Sequence, residues 1–277
     1  MIDLESHIRA LTRHGYEISS DSDGYRLISS PDRLYPWEFP GREERVHYVQ
    51  EASSTMDLAK DLAEKGCPSM TVVIAEAQSM GRGRLNRQWR SSAGGLYFTL
   101  VIRPDLPPEA CGRMNFLASV VLTRVLRRRY GIPAMVKWPN DILVAEQKLS
   151  GMLSEMNATA GRLSHVAIGI GINVNNDPPS VNPPAISLKR LLNRRVPRQP
   201  LLRDFLDDFE IAMNQADHQE IMAQWKASAI TMNRAVTIRT TREKIQGTAV
   251  DVDMDGALVL RLADGRMKRV VYGDCFL

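Results

Sequence analysis

The chain has 277 residues, is 44% hydrophobic and 25% charged, and carries a formal net charge of +4, a balance that suits one substantial globular domain with one or two small ones. No apolar run approaches the roughly 20 residues that span a bilayer, and the N-terminus "MIDLESHIRA" lacks an apolar signal-peptide core. Cys67, Cys111 and Cys275 are odd in number and in no metal-ligand spacing, which excludes a disulfide scaffold and points to reduced thiols in the cytoplasm.

Charge is unevenly spread. Residues 1–45 hold six Arg and nine Asp or Glu, a net −3, which leaves +7 on the remainder. The positive potential belongs to the body of the chain and favours an acidic or phosphate-bearing ligand there.

In chain order, Leu4, Ile8 and Leu11 share one face of a helix over 4–14 that Gly15 stops. "YEISS" and "GYRLIS", joined by "DSDG", form a hairpin, and the Pro- and Gly-rich "SPDRLYPWEFPG" is expected to be a linker. A helix from about Met56 to Lys65 follows, with Ser54 and Asp57 as a capping box and Gly66 and Pro68 as its end. "MTVVIAEA" and "LYFTLVI" are strands. From Arg113 to Tyr130 a helix carries Met114, Leu117, Val121 and Val125 on one stripe, with Arg127, Arg128 and Arg129 at the negative end of its dipole. Strands are expected at "AMVKW", "DILVA", "LSGMLSEM" and "HVAIGIGINVN", and a helical region over about 200–227. Beyond Arg234, short strands with turns at "MDG" and "ADG" suggest a small barrel.

Four segments carry chemistry. "GRGRLNRQWR" lies between two strands and does not match a phosphate-binding P-loop. Its guanidinium forks suit phosphate or carboxylate oxygens, and its glycines give it freedom to close over an anion; a solvated basic turn is the other reading. In "KWPNDILVAEQKLSGMLSE", Lys137 and Lys148 bracket a turn whose Asn140 and Asp141 offer oxygen contacts to a ribose, an amide or a hydrated metal ion, although routine hairpin residues explain it equally. "GIGINVNN" puts Gly169 and Gly171 inside a strand, where glycine marks close approach or a bulge, and leaves Asn173 an amide free for a ligand. "SSTMD" is a helix cap whose hydroxyls could also serve a ligand.

Taken in order, "SST", "AEAQSMGRGR" with its following Trp, "KWPNDILV", "KLSGMLSE" and "GIGIN" resemble the biotin protein ligases from about Val46 to the C-terminus. The resemblance implies an α+β fold: a central mixed, mostly antiparallel sheet with helices, like class II aminoacyl-tRNA synthetases, followed by a small C-terminal SH3-like β-barrel. The expected division is 1–45 as a partial winged-helix-like remnant and linker, 46–230 as the catalytic biotin- and ATP-binding domain, and 231–277 as the barrel. The implied activity forms biotinyl-5′-AMP from biotin and ATP and passes the biotin to a lysine of a biotin carboxyl carrier protein, such as a subunit of acetyl-CoA carboxylase.

Matching positions supply the expected site. Ser54, Thr55 and Gln78 would hydrogen-bond the biotin head group, with Met56 standing where the family more often has Asn. Gly81, Arg82, Gly83, Arg84 and Arg87 would line the biotin and phosphate sites, and Trp89 would pack near the adenine. Lys148 and Arg84 would neutralise charge at the α-phosphate, Gly151 falls in the lysine's motif, Asn140 and Asn173 match nucleotide-side positions, and Asp141 would organise Mg²⁺. Asn86 replaces a frequent glycine and is expected to keep the loop workable through its tolerance of left-handed backbone. The resemblance also admits a homodimer through the central sheet.

"HIRALTRHGYEISSDSDGYRLIS" resembles the last helix and wing of a winged helix, with Met1 close to the start of the recognition helix. The missing bracing helices and the local net charge of −3 argue against DNA binding. The alternatives are a ligase that is also a DNA-binding repressor of biotin-synthesis genes, a lipoate or octanoate ligase, and a catalytically inert binding protein.

Overall fold

The computed structural model describes residues 3–22, 24–159, 162–178, 184–215 and 217–277. Helix α1 (Leu4–Arg13) leads into a hairpin of β1 (Glu17–Asp21) and β2 (Gly24–Ser29), as the periodicity predicts. Gly15 adopts φ +92°, the left-handed conformation that ends a helix. Met1 and Asp23, the latter in the expected hairpin turn, lie outside the described residues.

The segment expected to be a linker is instead part of the body. Leu34 and Phe39 are buried in the main core, and Asp32 accepts from the backbone N–H and Nε of Arg198, whose Nη1 lies 2.7 Å from Glu76. The Pro and Gly content set the backbone but hid the anchoring function of these apolar side chains.

The body is a seven-stranded sheet of β3 (Val46–Ala52), β4 (Thr71–Gln78), β5 (Leu96–Ile102), β6 (Met135–Lys137), β7 (Asp141–Val144), β8 (Gln147–Thr159) and β9 (Arg162–Ile172). Its order is β3-β4-β5-β9-β8-β7-β6, antiparallel throughout except for the β3–β4 pair. Helix α2 (Thr55–Glu64) packs Ala59 and Ala63 on Val73 and Val101 on one face. On the other, α3 (Cys111–Tyr130), α5 (Arg198–Gln215) and α6 (His218–Ala227) enclose the larger core; the short α4 (Leu188–Leu192) buries Leu188 there. Cover on both faces explains why "LYFTLVI" is apolar but for Thr99, since all seven residues of β5 are buried. The expected helical region over 200–227 is thus two helices, α5 and α6.

The C-terminal strands β10 (Ala235–Arg239), β11 (Lys244–Val252), β12 (Leu258–Arg261), β13 (Met267–Val270) and β14 (Asp274–Phe276) form a separate antiparallel sheet in the order β13-β12-β11-β10-β14. Strand β14 sits at its edge and returns the chain to the main sheet's cleft. No helix among the described residues is long and apolar enough to cross a membrane.

Candidate active site

The α2 face of the sheet holds a cleft of about 540 Å³. Its floor is made by register. Gly151 on β8 lies opposite Gly171 on β9, and Gly169 lies opposite Leu153, so missing side chains leave a strip of bare backbone. A Cβ on Gly171 would come within 2.4 Å of the Trp89 ring, one on Gly151 within 2.9 Å of it, and one on Gly169 within 2.7 Å of Met56 Sδ. Between the close-approach and bulge readings the structure chooses close approach, because the β8–β9 register shift falls at Asn157/Ala158 instead.

One end of the cleft is neutral and hydrogen-bonded. Ser54 caps α2 by accepting from the Met56 N–H. Gln78 Oε1 accepts from both the N–H and the hydroxyl of Thr55, at 2.8 and 3.1 Å, while Gln78 Nε2 donates to Ser91 Oγ and Thr99 donates to Thr55 Oγ1. Asp57 does not complete the expected capping box; its carboxylate accepts from Arg82.

The other end is cationic. The lining there includes Arg84, Arg87, Arg90, Lys137 and Lys148 against Asp141 and Asp274. Lys148 Nζ lies 2.6 Å from Asp141 Oδ1, a charge contact without hydrogen-bond alignment, and 5.3 Å from the centroid of the Trp89 ring. Lys148 reaches the cleft from a strand irregularity: its partner is Leu143, while Ser150 pairs with Ile142, so Leu149 is the extra residue and its side chain is fully buried.

The arginine loop crosses between these ends. Inside it, Gly83 N–H donates to Arg87 O, Trp89 N–H donates to Gly81 O, and Arg82 bridges Gln88. The left-handed residue is Leu85, at φ 54°, rather than a loop glycine; the side chain of Asn86 lies outside what the structure describes. Gly81 is required for space, since a Cβ there would sit 2.4 Å from Trp89 O. Arg82 Nη1 donates to Asp57 at 2.6 Å and its Nη2 lies 3.7 Å from Glu155. Arg87 pairs with Asp274, and Arg84 Nη1 donates to Gly273 O at 3.2 Å. Arg84 is half-buried and has no carboxylate within salt-bridge distance among the described residues, and burial lowers its pKa despite Asp274 and Asp141 nearby. A desolvated guanidinium resting on a neutral carbonyl attracts an anion. The Trp89 indole N–H is likewise buried with no acceptor among the described residues.

All expected site residues except Gly81 line the cleft. Two differ from expectation in what they offer. The Asn173 amide is not free: Asn173 Nδ2 donates to Lys148 O, and its oxygen accepts from Asn176. Asn140 spends its amide on Met152 O. Asp141, expected to organise a metal, serves as the counter-ion of Lys148, and no cluster of three or more His, Cys, Asp or Glu side chains suited to a metal occurs among the described residues. Sequence reasoning missed Asp274, Cys275 and Phe276, which bring the C-terminal sheet to the cleft. Their signal was Gly273, whose φ of +144° and crowding against Ile238 Cγ2, 2.7 Å from an added Cβ, mark a built turn. Burial pushes the Cys275 thiol up to about 11, so it stays neutral.

Comparison with known proteins agrees with this geometry. Residues 46–173 match the biotin/lipoate A/B protein ligase family, and residues 231–277 match the biotin protein ligase C-terminal domain. The bifunctional ligase/repressor BirA of Bacillus subtilis is 33% identical over 285 residues, covering 97% of this chain and 87% of that protein. The biotin–[acetyl-CoA-carboxylase] ligase of Paracoccus denitrificans is 31% identical over 205 residues, covering 70% and 85%. The structure of a biotin protein ligase from Aquifex aeolicus in complex with biotin and ATP superposes with a TM-score of 0.70 at 26% identity, covering 83% of this chain and 97% of that one.

Proposed function

The chain belongs to the biotin protein ligase family, and we propose that its cleft joins biotin to AMP and then passes the biotin to a lysine of a biotin carboxyl carrier protein. It is an ATP-dependent biotin ligase. The observation that carries the residue assignments is the pairing, in one cavity, of a neutral, hydrogen-bonding pocket with a desolvated guanidinium that has no salt-bridge partner among the described residues. A urea-like head group suits the first and a phosphate the second.

In the first step a biotin carboxylate oxygen bonds to the α-phosphorus of ATP and the bond to pyrophosphate breaks. Two anions meet, so positioning and charge neutralisation dominate. Arg84 and Lys148 are placed to neutralise the developing charge, with Asp141 orienting Lys148. Arg87 gives up Asp274 to reach a phosphate. Trp89, close against Gly151 and Gly171, supplies an apolar wall and a spare N–H. Asn140 and Asn173 shape the nucleotide side through the backbone they hold. Mg²⁺ would enter with ATP, held mainly by phosphate oxygens, and Asp141 is the cleft carboxylate that would contact it.

The loop keeps water from the mixed anhydride until a carrier lysine arrives. That amine, once deprotonated, attacks the acyl carbon and AMP leaves. We assign residues 1–45, 46–230 and 231–277 as N-terminal module, catalytic domain and barrel, place the reaction in the cytoplasm, and take a homodimer through the central sheet as compatible with this reading. The net −3 of residues 1–45 favours no contact with a DNA backbone.

The test is pyrophosphate exchange into ATP with biotin, lipoate and octanoate side by side. Biotin-dependent exchange is expected; exchange driven by lipoate or octanoate and not by biotin would overturn the reading.

A further inference from the structure

The arginine loop is fastened at two places, and only one of them lies at the charge-transfer end. Arg84 and Arg87 tie its far limb to Gly273 and Asp274. Its near limb is held by Arg82, which bridges Asp57 on the first turn of α2 and Glu155 on β8. This pair of carboxylates sits at the rim of the cavity. Asp57 adjoins Thr55 and Met56, which line it, and Glu155 is two residues beyond Leu153, which also lines it. Neither carboxylate lines the cavity itself. All three side chains are about 40–46% exposed, so the bridge stands at the solvent side of this rim.

We propose that Asp57, backed by Glu155, is a positioning residue that clasps Arg82 across the cleft mouth and sets how long the acyl-adenylate is retained. This rests on the reading of the cleft as an acyl-adenylate site. The reasoning is kinetic. Residues at the rim do not touch the reacting atoms, so they leave bond formation alone. Opening the near limb, however, loosens the loop at the mouth of the neutral end, through which the intermediate or water would pass. An exposed ion pair contributes modestly and is screened by salt, which limits the expected effect to a few-fold per carboxylate.

Enzyme-bound biotinyl-adenylate is prepared from biotin and ATP with the full chain, and its escape is followed by gel filtration and by labelling of a bystander protein. Relative to the unmodified protein, Asp57→Asn is expected to speed escape about threefold and Asp57→Asn with Glu155→Gln about tenfold. Asp57→Glu is expected to restore retention. Escape from the unmodified chain rises with ionic strength, whereas escape from the double variant does not. Pyrophosphate exchange at saturating substrates and the thermal midpoint stay unchanged in all three. Unchanged escape in a folded double variant overturns the clasp, as does a parallel fall in exchange, which would put Asp57 in the chemistry or in the stability of α2. Failure of the unmodified chain to exchange pyrophosphate with biotin defeats the underlying reading instead.

Discussion

The two ends of the cleft solve recognition by opposite means. At the neutral end Thr99, Thr55, Gln78 and Ser91 form a continuous chain of hydrogen bonds and Ser54 is held by the Met56 N–H, so the groups are fixed in place before anything binds. At the cationic end charge outruns compensation: Arg84 rests on a carbonyl, and Arg84, Arg87, Arg90, Lys137 and Lys148 outnumber Asp141 and Asp274. Geometry selects a neutral heterocycle, because a preorganised site pays little reorganisation and leaves costly unpaired groups against a poor fit. Charge accelerates the reaction, because only the transition state brings carboxylate and phosphate oxygens together.

The comparison breaks most visibly at Arg84 and Lys148. Arg84→Ala and Lys148→Ala are each expected to lower kcat for biotin-dependent pyrophosphate exchange by about 10²–10³, the loss typical of a preorganised group facing developing charge. The KM for biotin should move far less. A large rise in the biotin KM with kcat intact would place both residues in ground-state binding and erase the distinction between the ends.

A smaller effect is expected at the neutral end. Thr55→Val removes the hydroxyl that links Gln78 to Thr99; Gln78 keeps the Thr55 N–H, but the buried Thr99 hydroxyl is left without its acceptor. Such a loss costs about 1–3 kcal/mol, so the KM for biotin is expected to rise about tenfold with kcat and the KM for ATP near their original values. Equal shifts in both KM values would mean that the two ends are coupled rather than separate.

Legibility in the sequence followed the same divide. Most strands and helices were readable from their periods, although β3 and the short α4 were not, and β5 announced burial on both faces through an apolar run broken only by Thr99. The glycines of β8 and β9 were readable as close-approach positions because a strand seldom keeps glycine otherwise. What was hidden depends on contacts far along the chain. Nothing local tells that Asp274 will face Arg87, that Asp57 will abandon its helix cap for Arg82, or that Leu34 and Phe39 will root a Pro-rich segment in the core. Asn140 and Asn173 were placed at the cleft, yet their amides are spent on backbone carbonyls opposite them, which depends on strand register.

Ionic strength offers the gentlest way to sharpen the comparison, since it alters no atom of the protein. The Debye length falls from about 10 Å at 0.1 M salt to roughly 3 Å at 1 M. Charges that act across the exposed rim are therefore screened, while hydrogen bonds among buried hydroxyls and amides are not. Arg87 is 59% exposed and Lys148 26%, so screening reaches the cationic end unevenly but does reach it. Raising salt from 0.1 to 0.5 M is expected to increase the KM for ATP about threefold and to leave the KM for biotin within measurement error. The same titration on Arg87→Gln should flatten, because that guanidinium is the one most open to solvent among those aimed at the phosphate. A biotin KM that climbs with salt as steeply as that of ATP would mean that charge, and not the chain of hydrogen bonds, holds the neutral end together.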